Sequence, residues 1–188
     1  EGRWQTTVGF ELTGARLGIA GLGRLGSAVA TVGLAFGMEV VAWSQHLTAE
    51  KAAAVGVAAV SKAELFSTSA VVTVHLKLSD RTVGVVGPAE FELMKPTAYL
   101  VNTSRGPLVD EAALVEALRT GRIAGAGLDV FDVEPLPLDH PLRALPNTVL
   151  TPHLGYVTGS TYQTWWRHVV EDIQAWAAAD PLRLLTAQ

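Results

Sequence analysis

Apolar residues gather in short runs separated by longer mixed stretches, and the runs have the length of strands. They are Leu17-Gly18-Ile19-Ala20, Val40-Val41-Ala42-Trp43, Ala70 to Leu76, Tyr99-Leu100-Val101, Ile123 to Val130 and Val149-Leu150. The third is broken only by Thr73 and His75, as expected of a central strand buried on both faces. Between the first two runs Leu25, Val29, Val32 and Phe36 recur at intervals of four, three and four, the period of a helix with one buried face. Gly37 ends that helix. Strand, turn, helix and strand together take ~30 residues, the size of a mononucleotide-binding half.

Helix starts and stops punctuate the rest. Thr48 is a cap with Gly56 as a break, and Ser61 is a second cap with Glu64 at capping-box spacing. Pro88 to Met94 forms a turn or two of helix stopped by Pro96, and Asp110 caps an amphipathic helix carrying Leu114 and Leu118 and ended by Gly121. Ser160 and Gln163 predict a capping box for a last helix, in which Trp165, Val169, Ile173 and Trp176 share a face. Trp166 beside Trp165 exceeds one stripe, so one of the two packs on a further surface. Residues 1–15, with Trp4, Val8, Phe10 and Leu12, form an approach segment. This alternation predicts an α/β fold, a Rossmann-type doubly wound parallel sheet with helices on both faces over residues 16–155. A C-terminal helix and tail, 156–188, follow.

Composition narrows the function classes. The 188 residues suit one domain with a substantial core, and 49% hydrophobic against 17% charged residues favour an ordered, well-buried protein. Lys and Arg number 14 against 18 Asp and Glu, scattered, for a net charge of -4, so no basic run follows a phosphate backbone and nucleic acid is not an expected partner. There are no cysteines, which excludes disulfides, thiolate metal sites and a cysteine nucleophile and agrees with a cytoplasmic protein. No apolar stretch reaches the ~18 residues of a membrane helix, and neither a membrane nor a metal ion is expected.

Candidate chemistry sits where the predicted strands end. Gly21-Leu22-Gly23-Arg24-Leu25-Gly26 follows the first strand and opens the first helix. Gly21 serves the tight turn, Gly23 the approach of a pyrophosphate and Gly26 close packing of helix on strand, with the helix N-terminus facing the phosphates. About 20 residues later, where a carboxylate would select ribose hydroxyls and repel a 2′-phosphate, stands Ser44, followed by Gln45 and His46. NAD and NADP both stay open. His75, Leu76 and Lys77, at the end of the central strand, either line the adenosine side or, for His75, pair with backbone. Arg105, in Asn102-Thr103-Ser104-Arg105-Gly106-Pro107, is placed for bidentate capture of a carboxylate or is a surface arginine with a salt bridge. Asp129, an acid inside an apolar strand, either braces a loop or meets a ligand amide. Phe131 to Pro146 is a proline-rich loop holding Asp132, Glu134, Asp139 and His140, and Thr151-Pro152-His153 leaves the last strand.

Taken in order, the glycine turn, the Asn102 to Pro107 segment, Gly127-Leu128-Asp129-Val130-Phe131 with Glu134-Pro135, and Thr151-Pro152-His153 resemble the D-isomer-specific 2-hydroxyacid dehydrogenases. The resemblance implies an oxidoreductase moving hydride between NAD or NADP and a small D-2-hydroxy or 2-oxo acid. It gives Arg105 the substrate carboxylate, His153 the acid/base role and Glu134 the part of its carboxylate partner. It gives Asp129 the nicotinamide carboxamide and Arg24 and Leu25 the pyrophosphate, with Ser44, Leu76, Thr103, Ser104 and Gly155 as further cofactor contacts. It also implies a homodimer, and a flavodoxin-like substrate domain ahead of the cofactor domain that these residues do not include. The expectation is therefore cofactor binding with little turnover by these 188 residues alone, their exposed tryptophans serving the substrate domain or a dimer partner. NAD-binding corepressors and formate or phosphite dehydrogenases are the alternatives within the same resemblance. Lys77 stands where the family commonly has proline, and Ser44 where it has an acid.

Overall fold

The computed structural model describes residues 2, 4 and 8–185, so residues 1, 3 and 5–7 of the approach segment and 186–188 of the tail lie outside the described residues. The chain divides into two compact units, Glu1–Pro152 and His153–Gln188.

The first unit is a seven-stranded, all-parallel sheet. Its strands are β1 (Arg16–Ala20), β2 (Glu39–Trp43), β3 (Ala58–Ala59), β4 (Val71–Val74), β5 (Tyr99–Asn102), β6 (Gly125–Leu128) and β7 (Thr148–Leu150), in the order β3-β2-β1-β4-β5-β6-β7. The chain winds outward from β1 to β3, then returns to the other side of β1 and winds outward again. Such a reversal opens a crevice beyond the carboxyl ends of β1 and β4. The helices are α1 (Arg24–Ala35), α2 (Ala49–Ala53), α3 (Lys62–Thr68), α4 (Pro88–Leu93) and α5 (Glu111–Arg119), with short 3-10 turns at Gly106–Leu108 and Pro141–Ala144. Caps fall where the sequence places them: Thr48, Ser61 and Asp110 accept from the N–H groups of Lys51, Glu64 and Ala113. Gly37 and Gly121 take the positive φ that ends a helix, 72° and 69°.

Side-chain alternation along β1 sends Leu17 and Ile19 to one face and Gly18 to the other. Leu17, Ile19, Val40 and Ala42 pack with Ala30, Met38 and Ala52 under α1 and α2. On the opposite face Val72, Val74, Leu100, Ala126 and Leu128 pack with Leu65 and Phe66 of α3, Phe91 of α4 and Leu114 and Leu118 of α5. Helices therefore cover both faces, as a doubly wound sheet requires. Phe10 of the approach segment stacks on Tyr99, ring centroids 5.8 Å apart.

The buried side of α1 is not the one its large residues predict. Leu25, Val32 and Phe36 are 64%, 55% and 57% exposed, while Gly26, Ala30 and Gly33 are buried. A side chain at Gly33 would sit 2.7 Å from Leu17 Cδ2, and one at Gly26 would sit 2.1 Å from the Gly21 carbonyl oxygen. The helix lies too close to the sheet for anything larger, so the small residues face in and the large stripe faces out. Val29 alone of the predicted stripe packs against the core.

Two strands are shorter than their apolar runs. β4 stops at Val74 and β6 at Leu128, although the next N–H groups, of His75 and Asp129, still donate to Ala20 and Asn102 carbonyls at 2.8 and 3.0 Å. The chain peels away there because those residues enter the crevice.

In the second unit, α6 (Gly159–Ala177) begins earlier than the Ser160 and Gln163 pairing predicts, because Thr158 is the N-cap and accepts from the Thr161 N–H at 3.2 Å. The tail folds back on this helix: Arg183 donates to Asp172 at 2.9 Å, to Glu171 at 2.7 Å and to the His168 carbonyl at 3.2 Å. Trp165 stacks on Tyr156 at 5.2 Å, and the helix buries none of its residues. No described helix is long and apolar enough to cross a membrane.

These two faces predict a steep contrast in stability. Phe66 is fully buried, so Phe66→Ala should destabilise the first unit by about 3–5 kcal/mol, whereas Leu138→Ala, at a site 90% exposed, should change it by less than about 0.5 kcal/mol. Urea denaturation of the two variants checks this, and similar losses in both would contradict the assignment of the core.

Candidate active site

Three chain segments meet at the crevice between β1 and β4. Gly21 leaves β1 with φ of 105°, and a Cβ there would stand 2.7 Å from the His75 carbonyl carbon and 2.8 Å from the Leu76 nitrogen, so the turn lies directly on the end of β4. Only glycine meets both demands. At Gly23 a Cβ would meet nothing within 4 Å, which leaves this backbone open to a ligand. Gly23 is also the N-cap of α1, no side chain caps that terminus and its first turn carries no acid. Open N–H groups and the positive end of the helix dipole suit a pyrophosphate. Arg24 and Leu25 stand exposed in the same turn.

Ser44 is the first residue past β2, whose Trp43 carbonyl accepts from the Gly21 N–H at 2.8 Å. The strand pairing thus sets Ser44 beside the glycine turn, at the place of the ribose-selecting acid. His75, half-buried, has Nε2 2.9 Å from Thr73 Oγ1, so a side chain and not the backbone is its polar partner. Burial holds its pKa below the ordinary histidine value. Lys77 is exposed, and its carbonyl accepts from Thr82 Oγ1 at 2.8 Å.

Arg105 is presented by a locked turn. Asn102 ends β5 with 1% exposure; its side-chain N–H donates to the Arg105 carbonyl at 2.9 Å while its Oδ1 accepts from the Ser104 N–H at 3.1 Å. Ser104 Oγ in turn donates to the Leu76 carbonyl at 2.8 Å, tying this turn to the end of β4. The Arg105 guanidinium is exposed beyond the strand and donates to the Ser104 carbonyl at 2.6 Å, with Thr103 exposed next to it. No acidic partner of Arg105 is present among the described ion pairs.

Glu134 lies on the adjoining loop. Gly106 presses on that loop so closely that a Cβ would stand 2.1 Å from the Phe131 carbonyl, and Glu134 Oε1 accepts from the Phe131 N–H at 2.9 Å. Asp129, 6% exposed, accepts from Thr151 Oγ1, just past β7, at 2.5 Å. Asp132 is pushed above the usual carboxylate range, first by burial and then by the charges of Glu111 and Asp110.

The first unit therefore brings together the glycine turn, Ser44, Leu76, Thr103, Ser104, Arg105, Asp129 and Glu134. His153 and Gly155 belong to the second unit. There His153 takes φ of 56°, and its ring meets that of Tyr156 edge-on at 5.5 Å. Sequence reasoning assigned no work to Asn102, although an asparagine ending a strand before a Ser-Arg-Gly turn is the signal of a side chain that bonds its own backbone.

Residues 1–155 match the family profile described as D-isomer specific 2-hydroxyacid dehydrogenase, NAD binding domain. A glyoxylate reductase of Aeropyrum pernix is 45% identical over 170 residues, 90% of this chain and 51% of that protein. A D-3-phosphoglycerate dehydrogenase of Archaeoglobus fulgidus is 40% identical over 185 residues, covering 97% of this chain and 35% of the relative. Among solved structures, a putative D-3-phosphoglycerate dehydrogenase oxidoreductase from Ralstonia solanacearum superposes with a TM-score of 0.88 at 41% identity, covering 92% of this chain and 51% of that one. The chain thus spans about half or less of the length of these relatives. With the glycine turn, the locked arginine turn and the parallel sheet in place, the chain belongs to the D-isomer specific 2-hydroxyacid dehydrogenases, as their NAD-binding domain.

Proposed function

We propose that this domain serves an oxidoreductase that moves hydride between a nicotinamide cofactor and C2 of a small D-2-hydroxy or 2-oxo acid. The observation that carries the reading is Arg105, held by Asn102 at the carboxyl end of β5 with its guanidinium exposed beside the crevice. A guanidinium so placed offers two parallel N–H donors to a substrate carboxylate and polarises the adjacent carbonyl. Bound nicotinamide supplies the hydride in one direction and accepts it in the other. Hydride arriving at C2 leaves an alkoxide, which takes a proton from the His153 imidazolium; in the reverse direction the neutral ring removes it. Glu134 is, in the same reading, the carboxylate partner of this acid/base. Asp129 accepts from the cofactor carboxamide, while Arg24, Leu25, Ser44, Leu76, Thr103, Ser104 and Gly155 line the rest of the cofactor site.

A hydride step needs a cleft that excludes water, and the relatives are about twice the length of this chain or more. These 188 residues alone therefore bind cofactor with little turnover. A cytoplasmic homodimer belongs to the same reading, with the exposed stripe of Leu25, Val32 and Phe36 on α1 as apolar surface for a second chain.

In the complete protein, Arg105→Ala and His153→Ala should each lower kcat/KM for 2-oxo acid reduction by about 100-fold or more while the Kd for NADH in calorimetric titration stays within about threefold. Near-normal turnover in either variant would refute its role. Ser44→Asp should lower NADPH affinity about tenfold relative to NADH, because the added carboxylate repels a 2′-phosphate and accepts from the ribose hydroxyls. An unchanged ratio in the same titration would show that Ser44 does not face the ribose.

A further inference from the structure

The loop that carries Glu134 is held by a side chain far from it in sequence. Glu111, the first residue of α5, sits at a helix N-terminus, where a carboxylate is favoured by the helix dipole. Its Oε2 accepts from the Asp132 backbone N–H at 3.3 Å, and its Oε1 lies 3.0 Å from His140 Nε2. His140 is itself the N-cap of the 3-10 turn Pro141–Ala144, its Nδ1 accepting from the Leu142 N–H at 3.3 Å. A nitrogen that accepts carries no proton, so the ring proton is on Nε2 and points at Glu111. One carboxylate thereby anchors the loop at residue 132 and again at residue 140. Glu134 lies between the anchors, and the Phe131 N–H that it accepts from is one residue before the first of them. Glu111 also lines a small cavity together with Asn102 and Gly106.

We propose that Glu111 and His140 form a clasp that positions the Glu134 carboxylate, an inference whose catalytic consequence rests on the function proposed above. Without the clasp the loop loses its anchors at residues 132 and 140 while Phe131 against Gly106 and the bonds of Arg143 to the Leu136 and Pro137 carbonyls remain, and the bond of the Glu134 carboxylate to the Phe131 N–H loosens. Both are positioning residues; neither is placed to touch substrate.

His140→Asn tests the clasp most cleanly, since asparagine still caps Leu142 but is too short to reach Glu111, and the Glu111 charge is kept. In the complete protein, hydrogen exchange of the Phe131 and Asp132 amides should quicken about tenfold or more, with the rest of β6 unchanged. The kcat for 2-oxo acid reduction should fall about tenfold, with KM for cofactor within about twofold. Glu111→Gln should give the same exchange result. Unchanged exchange in both variants would overturn the clasp, and faster exchange with an unmoved kcat would overturn its positioning role. A wild-type protein that reduces no 2-oxo acid would overturn the functional reading instead, and the exchange of Phe131 would still decide whether the clasp holds Glu134.

Discussion

The closeness of α1 to β1 is the constraint on which the crevice depends. Gly26 rests against the Gly21 carbonyl, and Gly33 against Leu17 and Val40, with no side chain between helix and sheet. That contact aims the N-terminus of α1 at the ends of β1 and β4. It also leaves the Gly21 turn lying on the His75 and Leu76 backbone. Side chains at these glycines would lift the helix, and the open backbone at Gly23 would move with it. The same closeness turns Leu25, Val32 and Phe36 outward, so exposed apolar surface is a direct consequence of how the helix packs.

Further along the sheet, backbone contact again does the positioning. Parallel strands deliver successive chain ends to one edge, and here neighbouring ends are tied pairwise: Ser104 to Leu76, Asp129 N–H to the Asn102 carbonyl, and Thr151 to Asp129. Gly106 against Phe131 adds a contact too close for any side chain. Arg105 and Glu134 are both exposed, yet neither is on a free loop. Each hangs from a buried group, Asn102 for the arginine and the Phe131 N–H for the glutamate. Exposure of the functional ends and burial of their supports is how a site stays both accessible and ordered.

What could be read in the sequence follows from how local each signal is. Caps at Thr48, Ser61 and Asp110 and the positive-φ ends at Gly37 and Gly121 depend on residues three or four apart, and they fall where expected. The parallel sheet also follows from the alternation of apolar runs with helical stretches. The inward face of α1 does not, because the periodicity of large residues assumes that the core wants bulk, while a helix pressed on a sheet wants glycine and alanine. The start of α6 was misplaced for a narrower reason: Thr158 and Ser160 both offer a hydroxyl three residues before a polar residue, and only geometry separates them. The clasp was out of reach altogether. Glu111 and His140 are 29 residues apart, and each has an ordinary local explanation, one as a first-turn acid and the other as a loop histidine.

The two units differ in what holds their functional groups. Arg105 and Glu134 inherit their placement from the core of the first unit through Asn102 and the loop contacts. In the second unit α6 buries none of its residues, and the described contacts include the Thr158 cap, the Arg183 ion pairs and the Tyr156 to Trp165 stack. An isolated helix of this length is marginal in water, and the exposed stripe of Trp165, Val169, Ile173 and Trp176 is the kind of apolar surface whose burial stabilises a helix.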